Sequence, residues 1–197
     1  LKKTDRPAYG VKVVAYPKKE HYGSLYSINR PENAELLMIQ LLSQFVKNKQ
    51  TPHIVLPITT FFTNIKTFTN LAKDEIIDNK KYDQFIEKYK KGAYYERVSI
   101  LISEWANNGD LLDYLKKNYK SLGLKEWRVL LFQIVSVLAI IQAKYPSFRH
   151  NDMKGNNILI HKIGKNRNTK FNKYQYKING QKYIVPNIGY QIKLWDF

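Results

Sequence analysis

The segment 124–143 constrains the fold more than any other part of the sequence, because its apolar residues recur at helical spacing along its whole length. These apolar positions are Trp127, Leu130, Leu131, Ile134, Leu138 and Ile141. A helix with so broad an apolar stripe is predicted to be largely buried, so other elements must cover it. Pro146 predicts where this helix ends.

Shorter patterns predict the elements that surround this helix. Pro31, followed by apolar residues at helical spacing up to Val46, predicts a second helix that begins with proline in its first turn. Asp110 is a predicted N-cap for a short helix over 111–118, and an insertion over 63–96 contains a helix-like segment around 82–89. Strands are predicted at 11–14, 53–58, 98–105, 158–160 and 191–195, and a hairpin with a type I′ turn at Asn179-Gly180.

Composition supports a folded domain and excludes several kinds of site. Hydrophobic residues make up 44% and aromatic residues 14% of the 197 residues, which is enough to build a core. There is no cysteine, which excludes disulfides, thiolate metal sites and a cysteine nucleophile, and is typical of a reducing compartment. No apolar run reaches about 18 residues, so no membrane-spanning helix is expected.

The net charge of +17 comes from 33 Lys and Arg against 16 Asp and Glu. Most of these cations are lysines spread along the whole chain, together with abundant Asn, Ile and Tyr, which is typical of an AT-rich coding bias. A compact basic cluster, a zinc pattern and an RNA-recognition aromatic motif are all absent, so a nucleic-acid partner is not expected. The lysine-rich surface instead favours acidic protein partners.

The polar run 150–157, His-Asn-Asp-Met-Lys-Gly-Asn-Asn, follows the long helix and precedes a short strand. One interpretation is an ordinary polar turn. The run also resembles the catalytic loop of protein kinases, H-R-D-L-K-x-x-N. The resemblance implies that Asp152 accepts the proton of the substrate hydroxyl, Lys154 meets the transferring phosphate and Asn157 holds magnesium. Phosphoryl transfer needs this kind of positioning and charge neutralisation more than covalent chemistry.

Further matches to the same family occur in the family's order. Asp196-Phe197 ends an apolar strand and resembles the start of the Asp-Phe-Gly motif, whose Asp binds magnesium. Lys12 resembles the strand lysine that contacts the ATP phosphates, although a surface lysine is the alternative. Glu35, on the predicted helix, resembles the family's glutamate that pairs with this lysine. Glu32 is the rival candidate, but it lies off the register of the apolar stripe.

The segment 102–111 resembles the kinase hinge and the helix after it. By this resemblance the backbone of Glu104 and Ala106 faces the adenine of ATP, Ser103 is a small gatekeeper, and Asp110 lies near the ribose. Asp110 is equally interpreted as an acidic helix cap.

The resemblance implies an α+β, bilobal protein-kinase-like fold that is truncated at both ends. The predicted parts are a small lobe over 1–103, a hinge over 104–109 and the start of a large lobe over 110–197, with an insert over about 161–190. ATP and Mg²⁺ are the implied cofactors, and a protein substrate is the implied partner.

Three departures from the family pattern stand out. The segment before Lys12 contains no match to the glycine-rich loop, so this chain is expected to be inactive by itself. Asn151 replaces the arginine beside the catalytic aspartate. The stretch between Asp152 and Asp196 is unusually long and resembles the insert of haspin-type kinases. The insertion over 63–96 and the segment 148–152 also resemble kinase-like proteins of large DNA viruses, which implies a cytoplasmic or nuclear setting in a host cell, or a virion.

Two functions follow from these patterns. The first is an active protein kinase directed to Ser or Thr, because Lys12, Glu35, Asp152, Asn157 and Asp196 are all present. The alternative is a pseudokinase, a non-catalytic module that binds nucleotide and other proteins. A small-molecule kinase of related fold is a third interpretation, which the helix after Gly109 and the presence of Lys154 disfavour.

Overall fold

The computed structural model describes residues 9–71, 79–163 and 173–197, which combine four α-helices with seven β-strands. The helices are α1 (Pro31–Lys47), α2 (Asn79–Lys90), α3 (Leu111–Asn118) and α4 (Leu124–Lys144). The strands are β1 (Tyr9–Pro17), β2 (Pro57–Asn64), β3 (Tyr94–Glu104), β4 (Ile158–Lys162), β5 (Lys173–Ile178), β6 (Gln181–Pro186) and β7 (Tyr190–Leu194). The predicted α+β class is confirmed.

The chain divides into two compact units. One unit, called the sheet unit below, comprises 11–37 and 58–103. The other, called the helical unit, comprises the described parts of 1–10, 38–57 and 104–197.

The sheet unit is built on a three-stranded sheet with the order β1-β3-β2. The connection from β1 to α1 is organised by Arg30, whose side chain is completely buried. Its guanidinium donates to the carbonyls of Pro17 and Ser24, both at 3.0 Å, and lies 5.1 Å from the ring centre of Tyr95. Hydrogen bonds to two carbonyls offset part of the cost of burying this cation, and they favour the observed conformation of the loop.

Helix α4 supplies much of the core of the helical unit, but only along one face. Its buried apolar residues are Val129, Leu130, Val137, Ile140 and Ile141. In contrast, the side chains of Leu131 and Val135 are 56% and 63% exposed. The helix predicted for 124–143 is present, whereas the prediction that it is largely buried was too broad, because only one face is buried.

The chain after α4 forms two antiparallel strand pairs. Strand β4 pairs with β7, with Ile160 opposite Ile192, and β5 pairs with β6. The turn of the β5–β6 hairpin lies at Asn179 and Gly180, with φ values of 49° and 82°. Positive φ at both central residues is the signature of a type I′ turn, so the predicted hairpin is confirmed. Residues 164–172 of the predicted insert lie outside the described residues.

The strand predicted over 53–58 was wrong in its position. Only an isolated parallel bridge joins Ile54 to Leu194, and the regular strand β2 begins at Pro57. The backbone of this segment bonds to two different partners: Val55 N–H donates to Leu194 and Leu56 accepts from Glu104. Because the partner changes within a few residues, no continuous ladder forms despite the apolar sequence.

His53 is the most deeply buried titratable group of the helical unit, with none of its surface exposed. Its Nδ1 lies 2.9 Å from the carbonyl of Ile192, and its Nε2 lies 2.9 Å from the hydroxyl of Tyr176. A carbonyl only accepts hydrogen bonds, so Nδ1 carries a proton. Burial lowers the pKa of His53 to about 4, so the ring is neutral at pH 7 and its Nε2 accepts from the tyrosine hydroxyl. This arrangement requires a neutral imidazole.

No helix in the described ranges is both long and apolar enough to cross a membrane. Within the same residues, no group of three or more His, Cys, Asp or Glu side chains is arranged to hold a metal ion.

We predict that acid destabilises the fold through His53. Burial lowers the pKa of His53 from 6.5 to about 4, so between these values the unfolded chain binds a proton that the folded chain does not. The stability contributed by this residue is therefore complete above about pH 6.5 and is lost as the pH falls towards 4. The loss is on the order of 3 kcal/mol and is measurable by urea unfolding at a series of pH values.

The matched variant is His53→Gln, which removes the titrating group but keeps a side chain that both donates and accepts hydrogen bonds. We expect its unfolding free energy to depend less on pH across this range. An equal pH dependence in the two proteins would show that His53 is not the source.

Candidate active site

The loop between α4 and β4 brings three predicted site residues together. Lys154 Nζ lies 2.6 Å from Asp152 Oδ2. The Asn157 amide donates to the same carboxylate oxygen and to the backbone carbonyl of Asp152, both at 2.9 Å. Residues 155–157 form a single 3₁₀ turn that positions the amide, which is itself buried. A cation and an amide therefore converge on one carboxylate.

The charge of Asp152 is stabilised by these neighbours. The hydrogen bond from Lys154 lowers the pKa of the Asp152 carboxyl below its usual value, and the bond from Asn157 acts in the same direction. The carboxylate is consequently ionised at neutral pH and is able to accept a proton.

Asn151 occupies the left-handed region of backbone space, with a φ of 60°. Asparagine tolerates this conformation better than most residues with a side chain. The arginine close to Asn151 in the sequence, Arg149, donates to the carbonyls of Pro146 and Phe148, at 3.2 and 2.8 Å. The local backbone thus gives a physical reason for asparagine at this position.

Asp196 lies beside the catalytic loop. The backbone N–H of Trp195 donates to the carbonyl of Asn157 at 3.2 Å, which brings the end of β7 against the 3₁₀ turn. Asp152 and Asp196 line one pocket of about 390 Å³, together with Met38, Phe148, Arg149, His150, Asn151 and Phe197. The His150 ring is buried in this pocket, 5.1 Å from the ring centre of Phe197.

The chemistry of Asp196 and Asn157 fits a magnesium ion. Mg²⁺ prefers carboxylate and amide oxygens, and Asp196 and Asn157 supply one of each. Because the nitrogen of the Asn157 amide is engaged by Asp152, its oxygen lies on the other side of the amide group. The predicted metal residues are therefore chemically suited to the ion.

The predicted phosphate-binding lysine and its partner are found in the sheet unit. Lys12 on β1 and Glu35 on α1 form a hydrogen-bonded ion pair. The rival Glu32 lies instead 3.6 Å from Arg30. Of the two candidate glutamates, Glu35 is the one that the structure joins to Lys12.

The predicted hinge residues lie at the end of β3 and in the turn that follows. Glu104 exchanges two hydrogen bonds with Leu56, donating from its backbone N–H and accepting through its side chain, at 2.9 and 2.8 Å. Ala106 is buried. Asp110 accepts from the N–H of Asp113 at 2.9 Å and so caps α3. The cap is confirmed, whereas the nucleotide contacts of Glu104, Ala106 and Asp110 remain predictions.

Sequence reasoning missed the side-chain partner of Glu104. Lys193 on β7 is buried, and its ammonium lies 2.7 Å from Glu104 Oε1. The one available signal was a lysine between apolar residues of a buried strand, Ile192-Lys193-Leu194. Such a position predicts a paired charge but not the partner.

Comparison with known proteins assigns the family. The family model described as "Protein tyrosine and serine/threonine kinase" matches residues 32–179. A protein of Acanthamoeba polyphaga mimivirus named "Putative serine/threonine-protein kinase" is 49% identical over 194 residues. A second mimivirus protein with the same description is 42% identical over 69 residues, which is 34% of this chain and 17% of that protein.

The chain therefore belongs to the protein kinase family, and its resemblance to kinases of a large DNA virus is confirmed. The match to the first mimivirus protein covers 96% of this chain but only 41% of that protein's length.

Gly155 is predicted to be essential for the geometry of the catalytic loop. A Cβ at this position would lie 2.9 Å from Leu112 Cβ, 3.1 Å from its N and 3.2 Å from its Cα. Since these atoms belong to or border the backbone of α3, they cannot move aside at low cost. We expect Gly155→Ala to lower the unfolding free energy by about 1–3 kcal/mol, as measured by urea denaturation.

Gly123→Ala is the control, because its Cβ would meet only the flexible carboxylate end of Glu126, at 3.0 Å. We expect a smaller loss for this variant. Equal losses would indicate a general cost of replacing glycine and would contradict a specific clash with α3.

Proposed function

We propose that the chain is part of an ATP-dependent protein kinase that transfers the γ-phosphoryl group to Ser or Thr hydroxyls of protein substrates. The observation that carries the proposal is the convergence of Lys154 and Asn157 on the Asp152 carboxylate. Family membership supports the reaction class, and the names of the mimivirus relatives support the Ser/Thr preference.

In this proposal Asp152 orients the substrate hydroxyl and accepts its proton. Lys154 neutralises charge on the transferring phosphoryl group, which requires it to exchange part of its present contact with Asp152 for the phosphate. A lowered pKa keeps Asp152 ionised at neutral pH, so its carboxylate is available to accept the proton of the substrate hydroxyl. Positioning and charge neutralisation supply most of the rate enhancement in this reaction class.

Asn157 and Asp196 are the residues that would hold Mg²⁺. When bound, this ion neutralises charge on the nucleotide phosphates. The hydrogen bond between Trp195 and Asn157 keeps the two metal residues on adjoining segments. We propose no further metal ligand from this chain.

The nucleotide would be bound by two groups of residues. Lys12, oriented by Glu35, would contact the ATP phosphates, while the backbone of Glu104 and Ala106 would face the adenine and Asp110 the ribose. The division into a small lobe (1–103), a hinge (104–109) and the start of a large lobe (110–197) belongs to the same proposal.

The net charge of +17 favours acidic protein substrates. Because the reported relatives are mimivirus proteins, we propose that the kinase acts inside a host cell or within the particle of a large DNA virus.

Asp152→Asn in the full-length protein tests the proposed reaction. We expect phosphotransfer to a Ser- or Thr-containing protein to fall by about 10²–10⁴-fold, because the general base is lost. The affinity for ATP should stay unchanged, since Asp152 is assigned to the substrate hydroxyl. Radiolabelled phosphate transfer measures the first quantity, and equilibrium nucleotide binding measures the second.

Asp113→Asn is a close control, because each carboxylate is paired with a lysine and the side chains of Asp152 and Asp113 are 58% and 56% exposed. We expect this control to retain activity. If Asp152→Asn also retained full transfer, the catalytic role of Asp152 would be refuted. If the wild-type protein bound ATP but did not transfer phosphate, the result would support the pseudokinase alternative.

We also propose that the activity does not depend on phosphorylation of an activation loop. In the family, an arginine at the position of Asn151 pairs with the loop phosphate, and asparagine cannot form this charged pair. Phosphatase treatment of the full-length protein should therefore leave kcat/KM nearly unchanged. A loss of more than about tenfold, or 1.4 kcal/mol, would contradict the proposal.

A further inference from the structure

The β5–β6 hairpin has a structural role that the proposed reaction does not use. Tyr176, Ile178 and Val185 of this hairpin are buried in the core of the helical unit. The Tyr176 ring packs edge-on against Phe132 of α4, 5.1 Å between ring centres, and stacks on His53 at 5.6 Å. The hairpin is consequently part of the core rather than a surface appendage.

Tyr176 is joined to β7 through His53. The tyrosine hydroxyl donates to His53 Nε2, and His53 Nδ1–H donates to the carbonyl of Ile192, each over 2.9 Å. The Ile192 carbonyl can only accept, and the buried, neutral ring accepts at Nε2, so the direction of both hydrogen bonds is fixed. The two bonds form one chain that runs from the hairpin to β7.

The backbone around His53 contacts the same strand. The His53 carbonyl accepts the N–H of Leu194 at 2.9 Å, and Val55 N–H donates to the Leu194 carbonyl at 3.1 Å. Asp196 follows Leu194 by two residues. The backbone and the side chain of His53 therefore both bond to β7, the strand that leads to Asp196, and they hold it together with β4 and Gln133.

We propose that Tyr176 and His53 are positioning residues for the magnesium-binding Asp196, and that the β5–β6 hairpin is the element that supports them. The inference rests on the proposed function, since it assumes that Asp196 holds Mg²⁺. Neither residue contacts the reacting atoms; both act by fixing the course of β7.

The physical basis is the cost of leaving a buried polar atom unpaired. Removing the Tyr176 hydroxyl leaves the buried Nε2 of His53 without a donor. Turning the imidazole towards another hydrogen-bond partner then lowers its free energy, and this rotation weakens its hydrogen bond to Ile192. A buried network that is fully satisfied specifies one arrangement, and a partly satisfied network does not.

The test is Tyr176→Phe in the full-length protein, assayed for phosphotransfer over a series of Mg²⁺ concentrations at fixed ATP. Loss of a residue hydrogen-bonded directly to a metal ligand typically costs 10–100-fold in metal affinity or activity, and Tyr176 acts further from Asp196 than such a residue does. We expect the Mg²⁺ concentration for half-maximal activity to rise by about three- to tenfold. The KM for the protein substrate should not change, and saturating Mg²⁺ should restore part of the lost rate.

Tyr183→Phe is the matched control. Tyr183 is the direct cross-strand neighbour of Tyr176 in the same hairpin, and its side chain is 42% exposed. The two variants lose the same hydroxyl group from adjacent positions, so a general weakening of the hairpin should affect both. Thermal unfolding of both variants separates loss of fold from loss of metal affinity.

The possible outcomes are distinguishable. A raised Mg²⁺ requirement in Tyr176→Phe alone, with both variants folded, supports the inference. If Asp196→Asn impairs Mg²⁺-dependent transfer but the two tyrosine variants behave alike, the positioning role is overturned while the proposed function stands. If the wild type shows no Mg²⁺-dependent transfer, both the proposed function and this inference fail.

Discussion

Strand β7 is the constraint on which the helical unit depends, because its backbone is hydrogen-bonded on more than one side. It pairs with β4 along one edge, and the segment around Ile54 bonds to Leu194 at its far end. The Gln133 side chain of α4 accepts from Ile192 N–H at 2.8 Å and donates to the Tyr190 carbonyl at 3.2 Å. Few alternative positions of the strand satisfy all these groups, so the residues that follow it emerge in a defined place.

The partly buried ion pair between Lys193 and Glu104 ties the end of β3 to this strand. Removing two charges from water is costly, so such a pair is weak evidence of added stability. Its geometry is nevertheless specific, because the Glu104 carboxylate oxygen that accepts from Lys193 also accepts from the N–H of Leu56. Three segments that are distant in sequence meet at one carboxylate, and each constrains the register of the others.

Local patterns in the sequence predicted most elements of the fold. Helical periodicity predicted α1 and α4, the Asp110 cap predicted the start of α3, and Asn179-Gly180 predicted the hairpin turn. The convergence on Asp152 followed from the spacing of a short loop. The partners of His53 could not be predicted, because Tyr176 and Ile192 lie 123 and 139 residues further along the chain. The partner of Lys193 could not be predicted either, because Glu104 lies 89 residues before it. The strand expected over 53–58 failed for the same reason, since its bonding depends on distant segments.

The long sequence separations around β7 have a consequence for the order of folding. The β5–β6 hairpin joins neighbouring residues through a type I′ turn, and hairpins of this kind form within microseconds. The contact between His53 and Ile192 closes a loop of 139 residues. Closing this loop loses more chain entropy than closing the hairpin does, and the loss precedes the stabilising contacts. We therefore expect the strand leading to Asp196 to dock late, onto a hairpin and helices that already exist. A chain still in the course of folding would then lack an ordered Asp196, and the site would be assembled only as the helical unit is completed.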